Sequence, residues 1–554
     1  MIGMKQAENS QDLQSRREEC RHGRLPGLSE LFVRPGDGTV VSGGLPGLWM
    51  APVAATALAF VAGLVGWKGV DLPAQLYRVG LFHRQGLTLW DSQWYGGHWT
   101  LAYSVVFPPV AGLIGLRATE VVSAGIAALA FDRLVVGHFG PGARAGSAAF
   151  AVGTLVPVAI GQVPFLLGEA LALVALWAIV RRRWPFAIPF ALSATLASPL
   201  AGAFLVLGLC AWLLGTWPAH RVSAACMVGA AAIPIIALAA VFPGQGVMPF
   251  PALDFVSEGT IFVVTALFIP SHERTLRIGA GLYVAACVAE FVVPSALGGN
   301  IDRLGETLGL PLVVCILWPA RRVVLGALAV PLILINWGPA WSALANRTNP
   351  SSKSQFFAPV VAYVQAHDTP LGRVEIVPTA AHWEAAYAAP SVPLARGWER
   401  QLDTADNPIF YAEVALTPQT YRSWLLDNGV RFVALPDVKL DYAAVEEGRL
   451  VKAGVPGLRP VWHNANWRVY EVQGSPGSVS GPARAVAIRG DTISLDVTAP
   501  GTIHLKERYS PRWAVTEGDG CTHEDSGGWL SIQALHPGPM RAQLRLFGPP
   551  GDAC

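Results

Sequence analysis

Residues 71–99, DLPAQLYRVGLFHRQGLTLWDSQWYGGHW, gather two aspartates, two arginines, two histidines and three tryptophans directly after an apolar run. A carboxylate at that border, Asp71, reaches water while touching the edge of an apolar phase. Burial against aromatic rings raises the pKa of such a group and a neighbouring guanidinium lowers it, so it can be tuned as a general base. Asp71, Gln75 and Arg78 follow one another at i+4 and i+3 spacing, so a short helix places them on one face. The plain alternative for Asp71 is to cap a helix over 72–84. Asp91 is a second carboxylate in the same stretch. Trp90, Trp94, Tyr95 and Trp99 suit an aromatic belt at a membrane interface.

Two later segments carry further candidates. GQVPFLLGEA (161–170) places Gln162 and Glu169 near the start of an apolar helix, where an acid marks either a site or a favourable helix-dipole position. GGNIDRLG (298–305) carries Arg303, which can hold a phosphate bidentately or pair with Asp302 or Glu306. HWEAAY (382–387) and ARGWERQLD (395–403) hold His382, Glu384, Arg396, Glu399 and Asp403 and read as a polar, aromatic docking surface. KERYSPRW (506–513) reads as packing. No cysteine or histidine spacing fits a metal, and there is no Walker A loop, GxGxxG, HExxH or GxSxG. ATP-driven pumping and soluble nucleotide-sugar chemistry are therefore disfavoured.

The elements that must position these residues follow from composition. Of 554 residues, 52% are hydrophobic and only 14% charged, and the mean hydropathy is +0.41. Soluble chains carry nearer a quarter charged residues, so a polytopic membrane protein is expected. The formal net charge of +2 and the absence of a Lys/Arg cluster give no reason to expect a nucleic-acid partner. Residues 1–47 are a polar tail, basic at RREECRHGR, and 48–67 is a first spanning run. Apolar segments near 105–135, 144–160, 164–180, 185–196, 199–215, 223–241, 257–270, 278–294, 307–319 and 323–338 follow. Placing the short basic loops (RRRW, His220-Arg221, SHERTLR, Arg321-Arg322) on the inner side gives about eleven crossings, N-in and C-out, with residues 68–101 as the first outer loop. The pair 185–215, broken at Ser198-Pro199, would serve equally as a re-entrant hairpin.

From 339 the texture becomes that of a soluble region. Residues 339–475 read as α/β, with helices at 355–367 and 415–428, strands at 373–379 and 430–437, and a strand pair over 462–472. Residues 476–554 alternate in short strands such as 492–498, 502–509 and 542–548, the pattern of a β-sandwich. If this region is extracytoplasmic, Cys521 and Cys554 can form a disulfide. Cys210, Cys226, Cys287 and Cys315 lie in apolar runs and read as small core residues.

The ordered residues Asp71, Gln75, Arg78, Leu81-Phe82, Gly86, Trp90, Tyr95-Gly96-Gly97, Tyr103 and Pro108-Pro109 resemble the first outer loop of bacterial membrane proteins called 6-pyruvoyl-tetrahydropterin-synthase-related. Those proteins look like GT-C glycosyltransferases in architecture. GQVPFLLG, ASPLAGAFL, GGNIDRLG and ARGWERQLD resemble the actinobacterial members, and the likeness runs over most of 48–475. It implies a sugar transferred, usually with inversion, from a polyprenyl-phosphate donor to an acceptor hydroxyl on the outer face of the plasma membrane. Carried over by position, Asp71 is the first-loop acid, and Arg78, His98, Arg303 and Gln162 are donor or phosphate contacts. Gln75, Trp90, Trp94, Tyr95 and Glu169 become substrate contacts, and Asp91 is the rival acid. The adjacent Asp-Glu pair of some GT-C first loops is missing, which leaves open both the choice of base and any need for a divalent metal.

The reading is thus a mainly α, polytopic bundle with an extracytoplasmic α/β and β-sandwich region. Its expected activity is transfer of a lipid-linked sugar to a cell-envelope glycan or lipid. The rivals are a lipid-linked glycan transporter without catalysis and an envelope-assembly protein built on the same scaffold.

Overall fold

The computed structural model describes residues 49–101, 103–244, 246–345, 348–411, 414–546 and 554. The polar tail expected over 1–47 lies outside the described residues. The chain is mainly helical, with a β-rich C-terminal region. Among the described residues six helical segments are long and apolar enough to cross a membrane: Leu116–Phe139, Pro141–Ile160, Val163–Val180, Arg221–Val241, Arg274–Val292 and Arg322–Ala345. Three shorter apolar helices accompany them, Met50–Val65, Trp184–Ala197 and Pro199–Gly215. Their outward faces leave large apolar side chains bare, such as Val222, Ile236, Val323 and Leu334, which is the surface a lipid phase covers.

Three boundaries differ from the sequence reading. The apolar stretch near 105–135 forms two helices, Phe107–Ile114 and Leu116–Phe139, because Gly115 turns the chain between them. Helix Arg322–Ala345 continues past 338 through Pro331 and Pro339. The helix expected at 415 begins at Pro418, because Thr417 and Thr420 close a capping box there. The break at Ser198-Pro199 is as read: Ser198 ends one helix and its hydroxyl accepts from Ala201 N–H at the start of the next.

The C-terminal region holds two bodies. In the first, strands β1 (Arg373–Ile376), β2 (Val430–Pro436), β3 (Leu458–His463) and β4 (Trp467–Val472) form one sheet in the order β1-β2-β4-β3. β1 runs parallel to β2, and the other pairs are antiparallel. In the second, eight strands from β5 (Val479–Ser480) to β12 (Gly538–Leu544) form two four-stranded sheets. Their inner faces bury Leu495, Ile503, Trp513 and Leu530. Cys521 and Cys554 are joined in a disulfide.

The segment 71–99 ties these bodies together. Its helix, Leu72–Gln85, contributes Leu72, Tyr77 and Leu81 to the core of the α/β body, where Trp94 and Tyr95 join them. Trp90 and Leu101 enter the sandwich core instead. Backbone bonds reinforce both seams, from Leu394 N–H to Gln93 O and from Arg508 N–H to Gly96 O.

Candidate functional site

A cavity of about 790 Å³ lies between the ends of the apolar helices and the underside of the α/β body. Asp71, Arg78, Gln162 and Arg303 line its helical side, and His382, Glu399, Arg400 and Asp441 face it from the α/β body. Asp71 occupies the N-cap position of Leu72–Gln85, yet its carboxylate makes no capping hydrogen bond. Its backbone N–H donates to Ile160 O at 3.0 Å, which anchors the residue against the turn before Val163–Val180. The side chain is thereby turned to Arg303, with Nη2 to Oδ2 at 3.5 Å, and it hydrogen-bonds Gln162. Burial pushes the Asp71 pKa up, while Arg303, Arg78 and the Gln162 hydrogen bond pull it back. That balance of opposing effects suits a proton acceptor.

Arg78, one face of the same helix away, is buried and donates to Glu399 at 2.5 Å and to Gln75 at 3.3 Å. Its guanidinium also lies 4.9 Å from the Tyr103 ring centre. The i+4 and i+3 spacing of Asp71, Gln75 and Arg78 therefore does place the three on one wall. Arg303 pairs with Asp71, a partner distant in sequence, and not with its neighbours Asp302 or Glu306. Asp302 lies instead near Glu258, and burial followed by that second carboxylate raises its pKa.

Other candidates lie elsewhere. Asp91 accepts from the Tyr77 hydroxyl and borders a separate chamber of about 30 Å³. Its Oδ1 is buried without a hydrogen-bond partner, and burial raises its pKa to about 6. His98 lines the same chamber, 3.3 Å from Asp406. Burial, then Arg508 and Arg373, hold the His98 pKa down at about 3, so at neutral pH the ring is uncharged and is no phosphate-binding cation. Trp90 stands edge-on to Trp513 at 5.6 Å and Trp94 stacks on Tyr77 at 4.5 Å, and Tyr95 donates to the Glu399 carbonyl at 3.1 Å. All three are buried, so their faces are taken by protein and none borders the larger cavity. Glu169 is buried in its helix and hydrogen-bonds Thr307.

The α/β body supplies groups that sequence reading assigned to docking or passed over. Arg400 donates to Asp441 at 2.9 Å and to the Tyr411 hydroxyl at 2.8 Å. His382, in a left-handed backbone conformation (φ 52°), lies 3.4 Å from Asp441 and 3.2 Å from Glu384. Those two carboxylates outweigh burial and raise its pKa to about 9. Arg396, by contrast, is locked in the interior by Glu375, Glu447 and Asp403. The one available sequence signal was the density of charged and aromatic residues in ARGWERQLD, because Asp441 stands in no fixed spacing to it.

Among the described residues no three His, Cys, Asp or Glu side chains are grouped to hold a metal ion. The cavity can nonetheless take a proton at Asp71, offset anionic charge at Arg303 and Arg78, and hydrogen-bond a polar ligand at its upper side. No protein-family model matches the chain, and no curated protein matches it.

Proposed function

We propose that this chain is a membrane glycosyltransferase of the GT-C type, moving a sugar from a polyprenyl-phosphate donor to an acceptor hydroxyl of an envelope glycan or lipid. The observation that carries the reading is the Asp71 carboxylate, unused as a cap and turned toward Arg303 in a cavity bounded by apolar helix ends and an outer domain. The resemblance of residues 71–109 to the first outer loop of the 6-pyruvoyl-tetrahydropterin-synthase-related membrane proteins, whose architecture looks like that of GT-C enzymes, supports it independently of that geometry. In this reading the cavity opens on the outer face of a bacterial plasma membrane, beneath an extracytoplasmic C-terminal region.

The acceptor oxygen attacks the anomeric carbon from the face opposite the phosphate, the bond from that carbon to the phosphate oxygen breaks, and configuration inverts. Asp71 takes the hydroxyl proton. Arg303 and Arg78 offset the charge gathering on the departing phosphate, each exchanging its present carboxylate partner for it.

The test is transfer in membranes supplied with polyprenyl-phosphate sugars. Asp71→Asn is expected to lower the rate by about 10²-fold or more, the usual worth of a general base, and Asp91→Asn by far less. Wild-type transfer by Asp71→Asn would end this assignment.

A further inference from the structure

The aromatic rings read from the sequence as substrate contacts are spent on packing, and different rings border the cavity. Trp398 and Tyr442 face it from the α/β body. Tyr442 is 69% exposed, which is unusual for so large a ring in a body with a well-filled core. The Arg400 guanidinium lies 4.7 Å from the centre of the Tyr442 ring and holds it in place. Beside the rings stand Arg400, Asp441, Glu399 and Gln401.

From this arrangement we infer that the underside of the α/β body is a binding site for an uncharged glycan unit, with Tyr442 and Trp398 as ring platforms and Arg400, Asp441, Glu399 and Gln401 as hydroxyl partners. The inference rests on the transferase reading in taking that glycan to be the acceptor. A sugar hydroxyl both donates and accepts, so it satisfies a guanidinium and a carboxylate that stand side by side. A phosphate only accepts, and here it would confront Asp441 and Glu399. The cations His382 and Arg400 are already matched by Asp441 and Glu384, so the upper side offers no surplus positive charge. The helical side sets the carboxylates of Asp71, Asp254, Asp302 and Glu306 beside Arg78 and Arg303, and Arg303 lies at the ends of apolar helices where a lipid-linked phosphate would arrive. One cavity thus has a charged side at the helix ends, which carries Asp71, Arg78 and Arg303, and an aromatic side whose cations are already paired.

The test uses the full-length protein in lipid nanodiscs and neutral tetrasaccharides of glucose, galactose, mannose, arabinose and rhamnose, read by saturation-transfer NMR. At least one is expected to bind, Tyr442→Ala and Trp398→Ala each to weaken it about tenfold, and inorganic pyrophosphate not to displace it. Tyr442 is exposed, so its removal leaves the thermal midpoint unchanged; Trp398→Phe keeps a ring and is expected to retain most binding, which separates a lost platform from a lost fold. The inference falls if no tetrasaccharide binds, if Tyr442→Ala binds as well as the wild type, or if pyrophosphate competes. Glycan binding that depends on Tyr442, combined with transfer indifferent to Asp71→Asn, would sink the base assignment alone. Transfer that depends on Asp71 with binding indifferent to Tyr442 would sink the glycan site alone.

Discussion

Asp71 and Asp91 are both buried carboxylates of one short segment, and their partners separate their roles. Asp71 faces Arg303 in the large cavity, whereas Asp91 is enclosed with Tyr77, its Oδ1 left without a hydrogen bond. Such a burial costs stability whenever the group is ionised. The Asp91 pKa rises from 3.8 to about 6 on folding, so the folded state holds the proton more tightly than the unfolded chain. Its contribution is fully present below the unfolded value and is lost as pH climbs through the folded one. Asn at this position does not titrate and still accepts from Tyr77. Relative to the wild type, Asp91→Asn should therefore gain stability between about pH 4 and pH 7, by up to about 3 kcal/mol. Glu507, whose pKa is raised to about 7 by burial and in part by Asp91, shifts the difference the same way. Denaturation in detergent across that range checks it, and a pH-independent difference between the two proteins would refute it.

At the scale of elements, Asp71 is placed by a backbone crossing between the segment after Met50–Val65 and the turn before Val163–Val180. A Cβ on Gly69 would lie 2.1 Å from Ile160 O, and one on Gly161, where φ is +90°, would lie 2.6 Å from Leu72 N. Neither glycine carries a functional group, yet both are needed for Asp71 N–H to reach Ile160 O. Gly161→Ala is expected to cost about 1–3 kcal/mol from strain and overlap, and to lower transfer in proportion as Asp71 is drawn from Arg303. A variant that melts at the wild-type temperature with unchanged transfer would show that the crossing does not set the site. This crossing marks where sequence reading runs out. The helices were legible because apolar runs and proline or glycine breaks are local signals, and the strands from Arg373 to Val472 were legible for the same reason. The aspect of the site confined to one helix, Asp71 with Gln75 and Arg78, could be read from spacing. The pairs Asp71–Arg303 and Arg78–Glu399 could not, the latter spanning 321 residues, since tertiary packing alone brings them together. The packing of Trp90 and Trp94 could not be read either, because composition fixes that a ring will be buried or stacked, but not against what.

For the whole molecule, the segment 71–99 is a keystone, and the Arg373–Glu507 pair shows how tightly it is clamped. Both side chains are 1% exposed and stand 2.5 Å apart across the junction of the two C-terminal bodies. Arg373 also donates to the carbonyls of Ser92 and Leu394, each at 3.2 Å. Removing one member of so buried a pair leaves an uncompensated charge, so the C-terminal bodies and the helical part are expected to hold as one unit. That unity makes sidedness testable at a few points. If the basic loop RRRW is inside, the C-terminal bodies must be outside, because the Val163–Val180 helix carries Gln162 at the cavity and Arg181 at its far end. In a background with Cys20 and Cys226 changed to serine, Leu535→Cys on the exposed surface of the sandwich should react with a membrane-impermeant maleimide on intact spheroplasts. Arg183→Cys should react only after the membrane is opened. Both positions are exposed, so failure to label cannot be blamed on burial. The reverse pattern would place the cavity on the cytoplasmic face, where lipid-linked donors give way to nucleotide sugars, and the transferase reading would lose its donor.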